Sequence, residues 1–173
     1  MLHTSPPPPP IIEQDARGCT VPGGTYTYAN ISRWTGVPGK PLKVDIFACS
    51  HVIVPVNVVR THWSLGVIFP QQRAIATPDS IGSGDDRVFD LLLQYVKDEH
   101  VSKHGVPLPD ADKWHRVRRP WPQQHNGCDC GAFSLANTDF LLLGEALEYG
   151  QSDIAAFRNM VLLACLNGSL ELP

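Results

Sequence analysis

Residues 62 to 69, HWSLGVIF, are apolar almost without interruption. A half-exposed strand alternates polar and apolar residues, so this run reads as a β-strand buried on both faces. The fold must therefore place layers on both sides of a sheet. The neighbouring segments supply them. HVIVPV, 51 to 56, is β-branched and bounded by turns, and RAIATPD, 73 to 79, follows the short turn PQQ as in a hairpin. From residue 83 the period changes. Apolar residues at 88, 91, 92, 95 and 96 recur at helical spacing, with Ser83 or Asp85 as a cap and Gly105 as a stop. KWHRVRR, 113 to 119, reads as a short edge strand before Pro120. AFSLANTDFLLLG reads as a helix ending at Gly144, and the segment from Asp153 to Gly168 as a last helix. Strands, helix, strand, then helices make an α+β domain. An apolar content of 43% over 173 residues is enough for one such core.

The first 24 residues differ from the rest. Pro6 to Pro10 form a polyproline tract, and residues 1 to 24 read as an extended or disordered tail ahead of a domain at 25 to 173. TYTYANISRW, 25 to 34, fits a short strand or helix, VDIF is ambiguous, and TGVPGKPLK, 35 to 43, reads as a loop. The start has no signal-peptide pattern, and no apolar run approaches the ~20 residues of a membrane span. A net charge of -3 leaves no basic footprint for nucleic acid or an anionic membrane. The one basic cluster, Arg116, Arg118 and Arg119, reads as a solvated strand or loop.

Five cysteines, Cys19, Cys49, Cys128, Cys130 and Cys165, are odd in number and irregular in spacing. A disulfide framework does not fit, and a reducing compartment does. Cys128 and Cys130 lie in PQQHNGCDCG, 122 to 131, where a glycine-rich turn runs into a helix. The unbonded N–H groups and the dipole of a helix start favour a thiolate on Cys130, and its backbone N–H is offered to an oxyanion. Cys128, in the turn before, lacks these advantages. A nucleophilic thiol needs a base, and the base needs an acceptor to orient it. His62 opens the buried strand and Asp79 ends the next, so hairpin pairing brings both to one end of the sheet. Gln124 can turn its amide N–H to the same oxyanion. Each residue alone has a plainer reading: one histidine of seven, a turn aspartate, a loop glutamine. His125, Cys128 and Cys130 as metal ligands lack a second pair at zinc spacing. A Cys-x-Cys redox pair is the other reading.

In order along the chain, these residues resemble the ubiquitin-like-protein-specific cysteine proteases, also called sentrin- or SUMO-specific proteases. THWSLGVIF is similar to the family's histidine segment, TPDSIGSG to its aspartate segment, and PQQHNGCDCGAF to its glutamine and cysteine segment. The similarity extends over about residues 26 to 167. It implies a papain-like fold with a central mixed sheet flanked by helices. It also implies cleavage after the C-terminal diglycine of a ubiquitin-like modifier, SUMO first, by precursor processing or isopeptide deconjugation. His62, Asp79 and Cys130 match the triad, and Gln124 matches the oxyanion hole. Trp34 and Trp63 match two indoles that enclose the diglycine; glycine has no Cβ and can thread such a slot. The resemblance further implies a monomer without cofactor or metal, in the nucleus or cytoplasm. The family's catalytic domains begin well upstream of Trp34, so part of the modifier-binding surface is expected to be missing. The contrasting readings are a binding module that holds a modifier without cleaving it, a protease for a different modifier, and an acetyltransferase-like effector on the same fold.

Overall fold

The computed structural model describes residues 13–14, 20–21, 26–36, 44–58, 61–82 and 84–168. The polyproline tract, Cys19, Ser83 and residues 37 to 43 of the loop lie outside these. Two short strands, β1 (Glu13–Gln14) and β2 (Thr20–Val21), pair antiparallel. The main sheet follows, in the order β3 (Val52–Val58), β4 (His62–Phe69), β5 (Ala74–Ala76) and β6 (His115–Val117). The first three run antiparallel, and β6 joins the edge parallel to β5. A parallel neighbour needs a crossover, and α2 (Asp86–His104) provides it.

Alternation along β4 assigns each face of the sheet to a helix. Ile68 and Ile75 pack with Val88, Leu92 and Val96 of α2. Contact there is close, since a Cβ on Gly66 would lie 2.5 Å from Leu92 Cδ1. Leu65, Val67 and Ala76 face the other way, against Trp121 and Leu141 of α3 (Cys130–Leu143). Phe133 of α3 then packs on Ile154 of α4 (Ile154–Asn167). Residues 64 to 68 are all buried, as a strand covered on both faces requires. The result is an α+β domain with a mixed sheet between helices.

The local signals act as their chemistry dictates. The Asp85 carboxylate caps α2 by accepting from the Arg87 N–H at 2.8 Å, and Gly105 ends the helix in the left-handed region. Asp153 does not cap α4 with its side chain; its carboxylate accepts from the Gly150 N–H one turn earlier. TYTYANISRW yields only one helical turn, α1 (Tyr28–Ile31), and VDIF yields a 3-10 turn, Ile46–Ala48. The basic cluster is not wholly solvated. Arg118 and Arg119 are exposed, but the Arg116 side chain is buried and paired with Asp86 at the start of α2.

One buried carboxylate fixes the segment that carries Trp34. Glu99 of α2 is fully enclosed and accepts from Tyr28 Oη at 2.6 Å and Thr35 Oγ1 at 2.5 Å. Lys103 Nζ stands 3.6 Å away, balancing its charge. Tyr26 Oη donates to Asp98 Oδ2 at 2.8 Å beside it. Trp34, held between these anchors, is left 55% exposed.

Candidate active site

The hairpin places His62 and Asp79 at one end of the sheet. His62 is the first residue of β4, and the chain leaving β5 returns past it. The Pro78 carbonyl accepts from the Leu65 N–H at 3.1 Å and from Ser64 Oγ at 3.0 Å, which extends the hairpin contact beyond β5. Asp79 Oδ1 accepts from the Ile81 N–H at 2.8 Å, fixing the carboxylate in a turn. The same oxygen lies 2.8 Å from His62 Nε2. A carboxylate oxygen only accepts, so Nε2 carries a proton, and in the neutral imidazole Nδ1 is the lone-pair nitrogen. His62 Nδ1 is buried and has no hydrogen-bond partner among the described residues. A basic nitrogen is thus oriented by Asp79 and left open for a proton.

The aspartate turn is clamped from the other side by Gln123. Its Nε2, with two hydrogens to share, lies among the carbonyls of Asp79 (2.8 Å), Gly82 (3.1 Å) and Trp121 (3.1 Å), and its Oε1 accepts from the Gly82 N–H at 2.7 Å. Close approach also fixes the way into α2. Gly84 has φ +84°, and a Cβ there would lie 2.3 Å from the Thr77 carbonyl oxygen.

Gln124 has a different task. Its N–H donates to the Ser80 carbonyl at 2.9 Å, and its Oε1 accepts from Ser80 Oγ at 2.7 Å. The first bond is the backbone's; the side-chain amide is oriented by the Asn126 carbonyl, which can only accept and so takes a hydrogen bond from Nε2. An amide nitrogen carries two hydrogens, so one more bond remains for an incoming oxygen.

Asn126 folds the turn before α3, its Oδ1 accepting from the N–H groups of Cys128 and Asp129, each at 3.1 Å. Cys128 is exposed in that turn, with its thiol 3.6 Å from Asn126 Oδ1. Cys130 is the first residue of α3 and only 7% exposed. In the first helical position its N–H has no carbonyl one turn back, and the helix's positive end meets any charge on Sγ. The start of α3 rests against β4: Ser134 Oγ donates to the Trp63 carbonyl at 3.4 Å. A Cβ on Gly131 would sit 3.8 Å from Trp63 Cδ1. The nucleophile candidate therefore lies beside the residue that follows His62. Trp63 is 44% exposed, and Trp34 stands apart from it in sequence, its ring centroid 6.5 Å from that of Tyr95. Among the described residues no three His, Cys, Asp or Glu side chains converge as metal ligands.

A model of the Ulp1 protease family, C-terminal catalytic domain, matches residues 19 to 165. The chain belongs to the Ulp1 protease family. Human sentrin-specific protease 2 is 30% identical over 145 residues, which are 83% of this chain and 23% of that protein. Ubiquitin-like-specific protease ESD4 of Arabidopsis thaliana is 31% identical over 134 residues, 77% of this chain and 27% of that protein. The chain thus spans well under half the length of the curated relatives it matches. Among solved structures, the C-terminal Ulp1 protease domain in complex with Smt3, the yeast ortholog of SUMO, superposes with a TM-score of 0.68 at 26% identity. That match covers 83% of this chain and 62% of that one.

Inside this Ulp1-family domain, Gln123 and Ser80 hold the site without having stood out in the sequence. Gln123 was visible only as half of a QQ pair, and nothing in TPDS distinguishes Ser80 from other turn serines. Their placement separates the two glutamines by measurement. With Gln124 as the oxyanion donor that the sequence suggests, Gln124→Ala should lower kcat about 10²–10³-fold with little change in KM or melting temperature, because such a donor acts on the transition state. Gln123→Ala should lower the melting temperature modestly, because it strips a partly exposed clamp of several hydrogen bonds. Steady-state kinetics beside thermal melts of both variants check this; identical profiles would show that the two roles are wrongly divided.

Proposed function

We propose that this chain is a cysteine-type protease that cleaves after the C-terminal diglycine of a SUMO-type modifier, by hydrolysing a peptide or isopeptide bond. The observation that carries the reading is the orientation of His62: Nε2 is bound to Asp79 while the buried Nδ1 has no partner among the described residues. In this reading Nδ1 takes the proton of the Cys130 thiol, and the sulfur attacks the carbonyl carbon of the last glycine. The oxyanion that forms is met by the Cys130 N–H and by Gln124 Nε2. The imidazolium returns its proton to the leaving amine, giving a thioester. Water, deprotonated by His62, then hydrolyses the thioester and frees the thiol. Membership of the Ulp1 family and the Smt3 complex of its relative support SUMO as the modifier class.

Trp34 and Trp63 are proposed as the walls of the diglycine slot. Both are large, apolar and about half exposed, as walls are before a substrate covers them. The test uses modifiers with a fluorogenic C-terminus. A SUMO ending in Gly-Gly should be cut, and the same protein ending in Ala-Ala should not. Trp34→Ala should weaken cleavage while leaving the melt nearly unchanged, since a buried aromatic costs ~3–5 kcal/mol to remove and an exposed one far less. Equal turnover of both tails would sink the slot. A SUMO vinyl-sulfone probe beside ubiquitin and other modifier probes tests the modifier class. No labelling by any of them would favour the binding-module reading.

A further inference from the structure

Asp129 stands next to Cys130 in the position from which a side chain usually caps its own helix, yet it makes no such bond. Its carboxylate is directed away, to four donors. Oδ1 accepts from Arg158 Nε at 3.1 Å and Arg158 Nη2 at 2.5 Å. Oδ2 accepts from Asn126 Nδ2 at 2.6 Å and Gln151 Nε2 at 2.7 Å. The hydrogen bond from Asn126, then those from Arg158 and Gln151, hold its carboxyl down at about 2, so it is charged at any working pH. The partners beyond the turn are Arg158, in α4, and Gln151, in the 3-10 turn that leads into it.

The same two residues hold the turn at other points. Arg158 Nη2 donates to the Cys128 carbonyl at 3.3 Å, and Gln151 Oε1 accepts from the His125 N–H at 2.7 Å. The segment between Gln124 and Cys130 is therefore fastened at Cys128 and Asp129 to α4, and at His125 and Asp129 to the 3-10 turn before it. These positions flank the two groups that would meet the oxyanion. On the side of the aspartate turn, Gln124 is held by Ser80, through its backbone N–H at 2.9 Å and its Oε1 at 2.7 Å.

We propose that Asp129 and Arg158 act as a positioning pair, through which α4 sets the place of the Cys130 thiol relative to His62. The proposal rests on Cys130 being the nucleophile. Neither residue touches the reacting atoms. Asparagine at 129 cannot replace the carboxylate, because both oxygens face donors and either orientation of an amide turns N–H against N–H. Lysine at 158 keeps the charge but not the two-nitrogen contact.

The experiment measures kcat and KM on a SUMO with a fluorogenic C-terminus, the alkylation rate of Cys130 by iodoacetamide, and the thermal melt. It uses the full chain and Asp129→Asn, Arg158→Gln, Arg158→Lys and the Asp129→Asn/Arg158→Gln double variant. A displacement near 1 Å costs roughly a hundredfold in rate. Asp129→Asn should lower kcat ten- to a hundredfold, on the order of that cost, with KM within about twofold. Alkylation should slow in parallel, measured well below the melting temperature. Arg158→Gln should act in the same direction, Arg158→Lys should recover part of the loss, and the double variant should be no worse than Asp129→Asn alone. A kcat and alkylation rate near wild type in folded Arg158→Gln and Asp129→Asn would overturn the proposal and leave the pair a stability feature. Additive losses in the double variant would overturn it too. The alkylation arm needs no modifier, so a chain that alkylates at Cys130 but cuts no SUMO refutes the proposed function and still decides the role of the pair.

Discussion

Cys130→Ala is expected to abolish turnover of a diglycine-ended modifier and to prevent labelling by a vinyl-sulfone probe, while Cys128→Ala keeps most of both. The two thiols are two residues apart, yet their settings differ in every respect that matters to reactivity. Cys130 opens α3 and is nearly buried, and the next residue, Gly131, lies against Trp63 at the sheet end. Cys128 is exposed in the turn and lies against Asn126 Oδ1, an acceptor that does nothing to favour a thiolate. Removing a nucleophile costs on the order of 10⁴–10⁶ in kcat, leaving what binding and the oxyanion donors supply. Removing Cys128 costs only small readjustments, because Asn126 and Arg158 hold its backbone and, among the described residues, its thiol makes only the long 3.6 Å contact to Asn126 Oδ1. Mass spectrometry of the probe adduct identifies the labelled cysteine directly. Retained turnover in Cys130→Ala with loss in Cys128→Ala would reverse the assignment.

What the sequence made legible follows a physical pattern. The run at 62 to 69 forms β4 residue for residue, because burial on both faces leaves a strong unbroken signal. The stops at Gly105, Gly144 and Gly168 coincide with left-handed residues that glycine adopts at no steric cost. Short elements were less legible. The one-turn helix at Tyr28–Ile31 is held by a side chain distant in sequence, and the 3-10 turn at Ile46–Ala48 by a local Asp45 cap together with Gln71, contacts that no local period records. Tyr28, for instance, is held by Glu99, 71 residues away. The same limit applied at the site. Types and spacing pointed to His62, Asp79, Gln124 and Cys130. Nothing local showed that Gln123 clamps the aspartate turn, or that Arg158 reaches back 29 residues to Asp129. Arg116 is the converse case: a basic run reads as solvated until the start of α2 is seen to supply Asp86.

His62→Ala and Asp79→Asn should separate the base from its orienter. His62→Ala removes the proposed acceptor of the thiol proton, and activity should fall close to the Cys130→Ala floor. Asp79→Asn is a gentler change in shape. The amide oxygen can occupy the place of Oδ1 and accept from both the Ile81 N–H and His62 Nε2, so the turn and the ring keep their geometry. What is lost is the negative charge that stabilises the imidazolium after it has taken the proton. If the amide instead turns its nitrogen to the ring, the tautomer reverses and Nδ1 becomes the donor, which blocks proton uptake. Either outcome lowers kcat, by up to about 10⁴ where the tautomer is wrong, with KM little changed. The melt should stay near wild type for Asp79→Asn, because its partners and those of the Gln123 clamp remain. The decisive comparison is kcat across the three variants at one pH. An Asp79→Asn enzyme as fast as wild type would mean that another acceptor orients His62. A His62→Ala enzyme faster than Asp79→Asn would mean that His62 is not the base.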